Sequence, residues 1–142
     1  MKLTIFRAIL VAAAALALGS VAYSQTVNIR AQVPFDFVVG DKIYPAGECA
    51  VQTLVNHSHL TYVGNRNEDK SAMVTPEVVT AGKPSPRTVL IFHQLGKTLF
   101  LYEVWSEGST VGMQFPRSRS ETRLAMNGIR TETVTVAANI TH

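Results

Sequence analysis

The chain has 142 residues, 46% of them hydrophobic and 16% charged, with 9 Gly, 6 Pro and 1 Cys. That length fits one domain and excludes a large multidomain enzyme, and the apolar content excludes a disordered chain. A single cysteine excludes an intramolecular disulfide framework and any Cys-rich zinc or iron–sulfur site.

The first 24 residues read as an export signal. Lys2 and Arg7 give a positive start, residues 8–18 form an unbroken apolar run, and Gly19 and Ser20 break it. Ala22 and Ser24 then place small residues at the −3 and −1 positions of a cut before Gln25, with a cut after Ala22 as the second choice. The run is shorter than the roughly 20 residues that cross a bilayer, so removal is expected rather than retention as an anchor. No later segment is long and apolar enough to span as a helix, and the mature chain is expected in the periplasm or outside the cell. Losing Lys2 and Arg7 leaves 11 basic against 10 acidic residues, a net charge of about +1. Nucleic-acid binding usually needs a strong basic excess, which the mature chain lacks.

After the signal, short apolar runs alternate with turn residues at the spacing of an all-β sandwich or barrel. Val33, Phe35, Phe37 and Val39 alternate with Pro34, Asp36 and Val38, which predicts a strand with an aromatic-rich inward face. Pro34 cannot donate a ladder hydrogen bond, so this strand is expected at an edge or bulged. Residues 48–55 follow as a strand with Cys49, Val51 and Val55 on one side, then residues 60–63, then an exposed polar loop over residues 64–70. Residues 72–80 predict a fourth strand interrupted by Pro76, and residues 81–86 a loop. Residues 88–92 and 98–105 form the strongest hairpin, turning at Gly96 and Lys97. In its second arm Phe100, Tyr102 and Val104 are expected on one side, with Leu99, Leu101, Glu103 and Trp105 on the other; two apolar faces predict a central strand. Residues 110–115 form a last strand of this series. Ser118 and Glu121 have the S-x-x-E spacing of a capping box, predicting a short helix through Met126 stopped by Asn127 and Gly128. Residues 129–142 return to alternation, as an extra strand or a tail. The predicted fold is one antiparallel β domain over residues 25–128, a small sandwich or partly open barrel of about seven or eight strands, with a short C-terminal helix or turn.

The segment Val33-Pro34-Phe35-Asp36-Phe37-Val38-Val39-Gly40, with Pro45-Ala46-Gly47-Glu48 after it, resembles a group of short secreted bacterial proteins of unknown function. Leu90-Ile91-Phe92-His93, Leu99-Phe100-Leu101, Val104-Trp105 and the Pro116-Arg117-Ser118-Arg119 and Glu121 ending extend the resemblance over roughly residues 30–125. The resemblance implies an envelope or extracellular location and a β-fold, and supplies no reaction. Members usually carry Tyr or another large residue after the PAGE segment, where this chain has Cys49, which implies a core-filling role for that thiol.

The residues that could carry chemistry are few. His57 and His59 are two apart and would share one side of a strand, as two metal ligands do, with His93 a candidate third. Two solvated imidazoles at a turn explain the same spacing. Glu103, on a central strand, is a candidate general acid with Asp36 or Glu48 as the second carboxylate of a carbohydrate-active hydrolase. It would equally form an ion pair. Cys49 lies on an inward face and reads as a small buried hydrophobe rather than a nucleophile. Arg117, Arg119 and Arg123 cluster near the predicted helix and could dock an acidic partner, a polysaccharide or a lipid headgroup, although Glu121 among them makes an ordinary mixed-charge surface. There is no phosphate loop, G-x-S-x-G elbow, H-E-x-x-H or Walker pattern, and no cofactor is implied. The expected function is therefore a non-catalytic exported module. It would bind a protein or envelope component, or assemble with itself, through the Pro34 edge strand or residues 129–142. The hydrolase reading and a periplasmic metal-binding protein using His57 and His59 are the alternatives.

Overall fold

The structure, a computed structural model, describes residues 28–53, 61–65 and 70–141. The export signal expected over residues 1–24, and His57 and His59, lie outside these residues.

The described residues fold as an all-β sandwich with one short helix near the C-terminus. In chain order the elements are β1 (Asn28–Val33), β2 (Phe37–Val39), β3 (Lys42–Tyr44), β4 (Gly47–Thr53), β5 (Thr61–Asn65), β6 (Lys70–Val74), β7 (Glu77–Thr80), β8 (Val89–Leu95), β9 (Thr98–Trp105), β10 (Val111–Gln114), α1 (Arg119–Met126), β11 (Thr131–Ala137) and β12 (Asn139–Thr141). The first sheet has the order β12-β1-β4-β5-β6, and the second β11-β8-β9-β10-β7, with β2 and β3 attached to β9.

More strands form than the seven or eight expected, because the chain changes sheets at Pro34, at Pro45-Ala46, at Pro76 and at Ala138, which divides longer runs into shorter strands. The strand predicted across residues 33–39 is two strands in two sheets. β1 ends at Val33, residues 34–36 turn the corner, and β2 joins the second sheet by pairing with β3 and, in parallel at Val38 and Phe100, with β9. The edge expected at Pro34 is thereby corrected: β1 lies inside its sheet between β12 and β4, and Pro34 sits where the ladder stops. Asp36 holds this corner by accepting a hydrogen bond from the Ala46 amide at 2.9 Å. Pro76 makes the same kind of corner between β6 and β7, which belong to opposite sheets. A proline lacks the N–H that continued pairing needs, so a corner is where it fits. The polar loop is also shorter than predicted, since β5 runs to Asn65 and β6 starts at Lys70.

The core fills the space between the sheets. Ile29, Ala31, Val33, Cys49, Val51 and Val63 from the first sheet meet Phe37, Val39, Tyr44, Leu90, Phe92, Leu101 and Val104 from the second, all at most 5% exposed. Each large side chain so buried contributes roughly 1.5–3 kcal/mol. Aromatic rings anchor the centre: Phe92 meets Phe35 and Phe37 edge-on at 5.0 and 5.5 Å, and Phe37 stacks on Tyr44 at 5.4 Å. Phe35 and Phe37 thus point inward as their alternation predicted, although the strand between them is broken.

The facing of β9 differs from the simple alternation. It is central, between β8 and β10, as expected. The β8–β9 register slips between Ile91 and Phe92, so that Ile91 pairs with Glu103 and Phe92 with Leu101, leaving Tyr102 as the extra residue of a β-bulge. A bulge resets which side each later residue faces. Leu99 and Leu101 face the inter-sheet core, Phe100 faces the opposite, outer side, and Val104 returns to the core. Tyr102 and Glu103 are thereby both released from the core.

Residues 129–142, expected as an extra strand or a tail, contribute β11 and β12. β11 pairs with β8 along its whole length, and β12 pairs with β1 in the other sheet. The Ala138 amide, between them, donates to the Thr88 carbonyl at 2.9 Å and fixes the corner.

Candidate functional site

The helix α1 packs on the outer face of the second sheet, and its sequence explains both its ends. Ser118 is the N-cap, with its hydroxyl accepting from the Glu121 amide at 3.1 Å. At the other end Gly128 adopts φ +78°, its amide donating to the Ala125 carbonyl and the Ile129 amide to the Leu124 carbonyl. This Schellman arrangement needs a residue that tolerates left-handed backbone, and glycine does. Leu124 and Ala125 pack over Val38, Leu95 and Phe100, which form a small second core beneath the helix.

Glu121 shares that inward stripe, at i and i+3, i+4 from Leu124 and Ala125. The capping box is therefore only half made. Instead of returning to the Ser118 amide, the Glu121 carboxylate lies 3.1 Å from the His93 Nδ1 and 4.0 Å from the Arg117 Nε. Glu121 is 4% exposed. The other side of the imidazole stacks on the bulged Tyr102, with ring centroids 3.6 Å apart and planes inclined by 24°. Charged groups are rarely buried without partners, and here the carboxylate, the imidazole and the guanidinium partner one another. The arrangement fastens α1 to β8 and β9 and fixes the plane of the His93 ring.

With Glu121 turned inward, the outer face of the helix carries charge of one sign. Arg117, Arg119, Thr122, Arg123, Met126 and Asn127 line an open groove of about 480 Å³. The sequence showed the arginines but placed Glu121 among them as a neutralising neighbour. The 121, 124, 125 spacing was the available signal that Glu121 points the other way.

The remaining candidate residues are dispersed. Glu103 accepts a hydrogen bond from the Trp105 indole at 2.8 Å. Glu48 lies on β4 in the other sheet, 3.6 Å from Arg30, and Asp36 caps the Ala46 amide. Each of the three carboxylates proposed for hydrolysis thus engages a different local partner. His93 is committed to Glu121 and Tyr102, and no group of three or more His, Cys, Asp or Glu side chains placed to hold a metal occurs among the described residues. Cys49 is 1% exposed in the core, and burial pushes its thiol up from 9.0 to about 12, which holds it as an unreactive thiol.

Among the described residues five strands lie at an edge, and they differ in how open they are; β3, paired only with β2, has 3 residues. β12 has 3 residues, and β7 has 4 and follows Pro76. β6 has 5 and begins at Lys70. Short strands, prolines and lysines are the usual ways of blunting an edge. β11 has 7 residues, Thr131-Glu132-Thr133-Val134-Thr135-Val136-Ala137, without Lys, Arg or Pro. Its pairing with β8 runs from Thr131 to Ala137 with no register shift. Val134 and Val136 lean on the core, while Thr131, Thr133 and Thr135 are exposed. Among the described residues nothing pairs with its outer side. No helix of the described residues is long and apolar enough to cross a membrane. Comparison of the chain with known protein families, curated proteins and solved structures finds no match.

Proposed function

We propose that this protein is an exported, non-catalytic β module that takes up a polypeptide strand, from a partner or from a second copy of itself, along the free edge of β11 at the cell envelope or outside the cell. The observation that carries the reading is the contrast among the edges. The other four are short or interrupted, whereas β11 offers an unbroken row of backbone donors and acceptors seven residues long. Main-chain hydrogen bonds would supply affinity, and the exposed threonines on alternate positions would set which strand fits. Export is supported by the positive start, apolar run and small residues of positions 1–24. The separation of Glu103, Asp36 and Glu48 into different local partnerships supports a binding role over hydrolysis.

Deleting the segment is not a clean test. Removing residues 129–142 would delete an edge from each sheet and take Val134, Val136 and Ile140 from the core boundary, confounding folding with binding. The better variant is Thr133→Lys/Thr135→Lys, which places two charges on exposed positions of the edge. Sedimentation of the native protein should show an assembly or complex that the variant loses while its circular dichroism is unchanged. Association of equal strength in the variant would refute strand addition at β11.

A further inference from the structure

We infer that the outer face of α1 is a docking site for the phosphate headgroups of an anionic lipid surface. This goes beyond the strand-addition reading and stands without it. Arg119, Thr122, Arg123 and Met126 follow one another at i, i+3, i+4 and i+7, so they form a single stripe along the helix, and Arg117 and Asn127 complete the groove they line. Glu121 is the sole acid of α1, and it is buried against His93 and Arg117.

This stripe is unfavourable for the helix itself. Arg119 and Arg123 are like charges one turn apart, and Arg119 occupies the first helical residue, beside the positive end of the helix dipole. Among the described residues the contacts of α1 with the sheet run through Glu121, Leu124 and Ala125, and Arg119 and Arg123 are both exposed. A bound anion relieves both repulsions. Guanidinium groups present paired donors that match phosphate oxygens.

Apolar exposure on the same side identifies the source of the phosphate. Met126 is 83% exposed and continues the arginine stripe, and Ile129 just beyond the helix is 37% exposed. Ile43 is 66% exposed and pairs across β2–β3 with Val38, which packs under α1, so it belongs to the same outer face. An acidic peptide or polysaccharide would satisfy the arginines and leave these side chains in water. A lipid surface accepts both, with cations at the headgroups and apolar side chains at the acyl boundary.

The test is sedimentation of the full chain with vesicles of phosphatidylglycerol and, separately, of phosphatidylcholine. Wild-type protein should bind the anionic vesicles in preference and release them as salt rises. Arg119→Ala/Arg123→Ala should bind them about thirtyfold more weakly, and Met126→Ser several-fold more weakly, with unchanged circular dichroism. All three chains share the same N-terminal residues, so the contribution of that segment cancels in the comparison. Equal binding by the double-arginine variant and the wild type, or no preference for the anionic vesicles, would overturn the assignment. So would tight binding to soluble polyglutamate without binding to vesicles, which would make the face a site for an acidic polypeptide.

Discussion

Gly112 on β10 lies directly opposite Trp105 on β9, and a methyl group added there would sit 2.7–2.8 Å from three carbons of the indole ring. Ordinary carbon contacts lie at roughly 3.5–4.0 Å, so Gly112→Ala forces the ring back by about 1 Å. The ring is held by its Nε1 donating to the Glu103 carboxylate at 2.8 Å, and pushing the ring off its face by that much bends this bond away from the near-linear geometry on which its strength depends. Losing a hydrogen bond to a charged group costs about 1.5–3 kcal/mol, less where the pair is partly solvated. Replacing glycine in a strand returns about 0.4–1 kcal/mol through the unfolded chain. The net expectation is a destabilisation of about 1–2 kcal/mol. The chain has one tryptophan, at position 105, so urea unfolding followed by intrinsic fluorescence reads the affected residue directly, and the native emission should shift to longer wavelength. In a Trp105→Ala background the same substitution should be neutral or stabilising. A Gly112→Ala protein as stable as the parent, with unshifted emission, would refute the reasoning, and with it the reading of Glu103 as the anchor of Trp105.

Two further expectations come from buried groups. Glu121→Ala removes the partner of His93 and should destabilise the protein by about 2–3 kcal/mol, measured by urea unfolding. The exchange of α1 amides should accelerate more than that of β4. Equal stability would mean that the carboxylate does not fasten the helix. Cys49 should resist a thiol reagent in the native protein at mildly alkaline pH and react on unfolding. Because its folded-state value of about 12 lies above the ordinary 9.0, the unfolded chain ionises first. Its contribution to stability is complete below about pH 9 and falls as pH rises from there towards 12, by up to about 1.4 kcal/mol per unit. Cys49→Ala should flatten that part of the stability profile in alkaline urea titrations, and an unchanged slope would contradict the burial argument.

Much of the fold was legible because burial leaves a period in the sequence. The hairpin turning at Gly96 and Lys97 and the capped helix at Ser118 formed close to where their patterns placed them. What alternation could not reveal is a change of sheet. Val33, Phe35, Phe37 and Val39 look like one strand because both strands face the same inter-sheet core, and only the absent N–H of Pro34 hints at the corner. The bulge at Tyr102 was hidden for a related reason: Phe100, Tyr102 and Val104 are all apolar or aromatic, so the reset leaves no break in the pattern. The pairing of Glu121 with His93 links residues 28 apart in sequence, and such a contact requires the topology. The contrast between β11 and the other edges likewise depended on knowing which strands end each sheet.

Strand addition at β11 is tested most directly by hydrogen exchange of its backbone amides in the free protein and in its native assembly. In the free protein the amides of Thr131–Ala137 that face away from β8 should exchange rapidly, alternating with slow ones bonded to β8. On association the fast set should become protected, at every second residue. Association with no added protection in this strand would contradict the account.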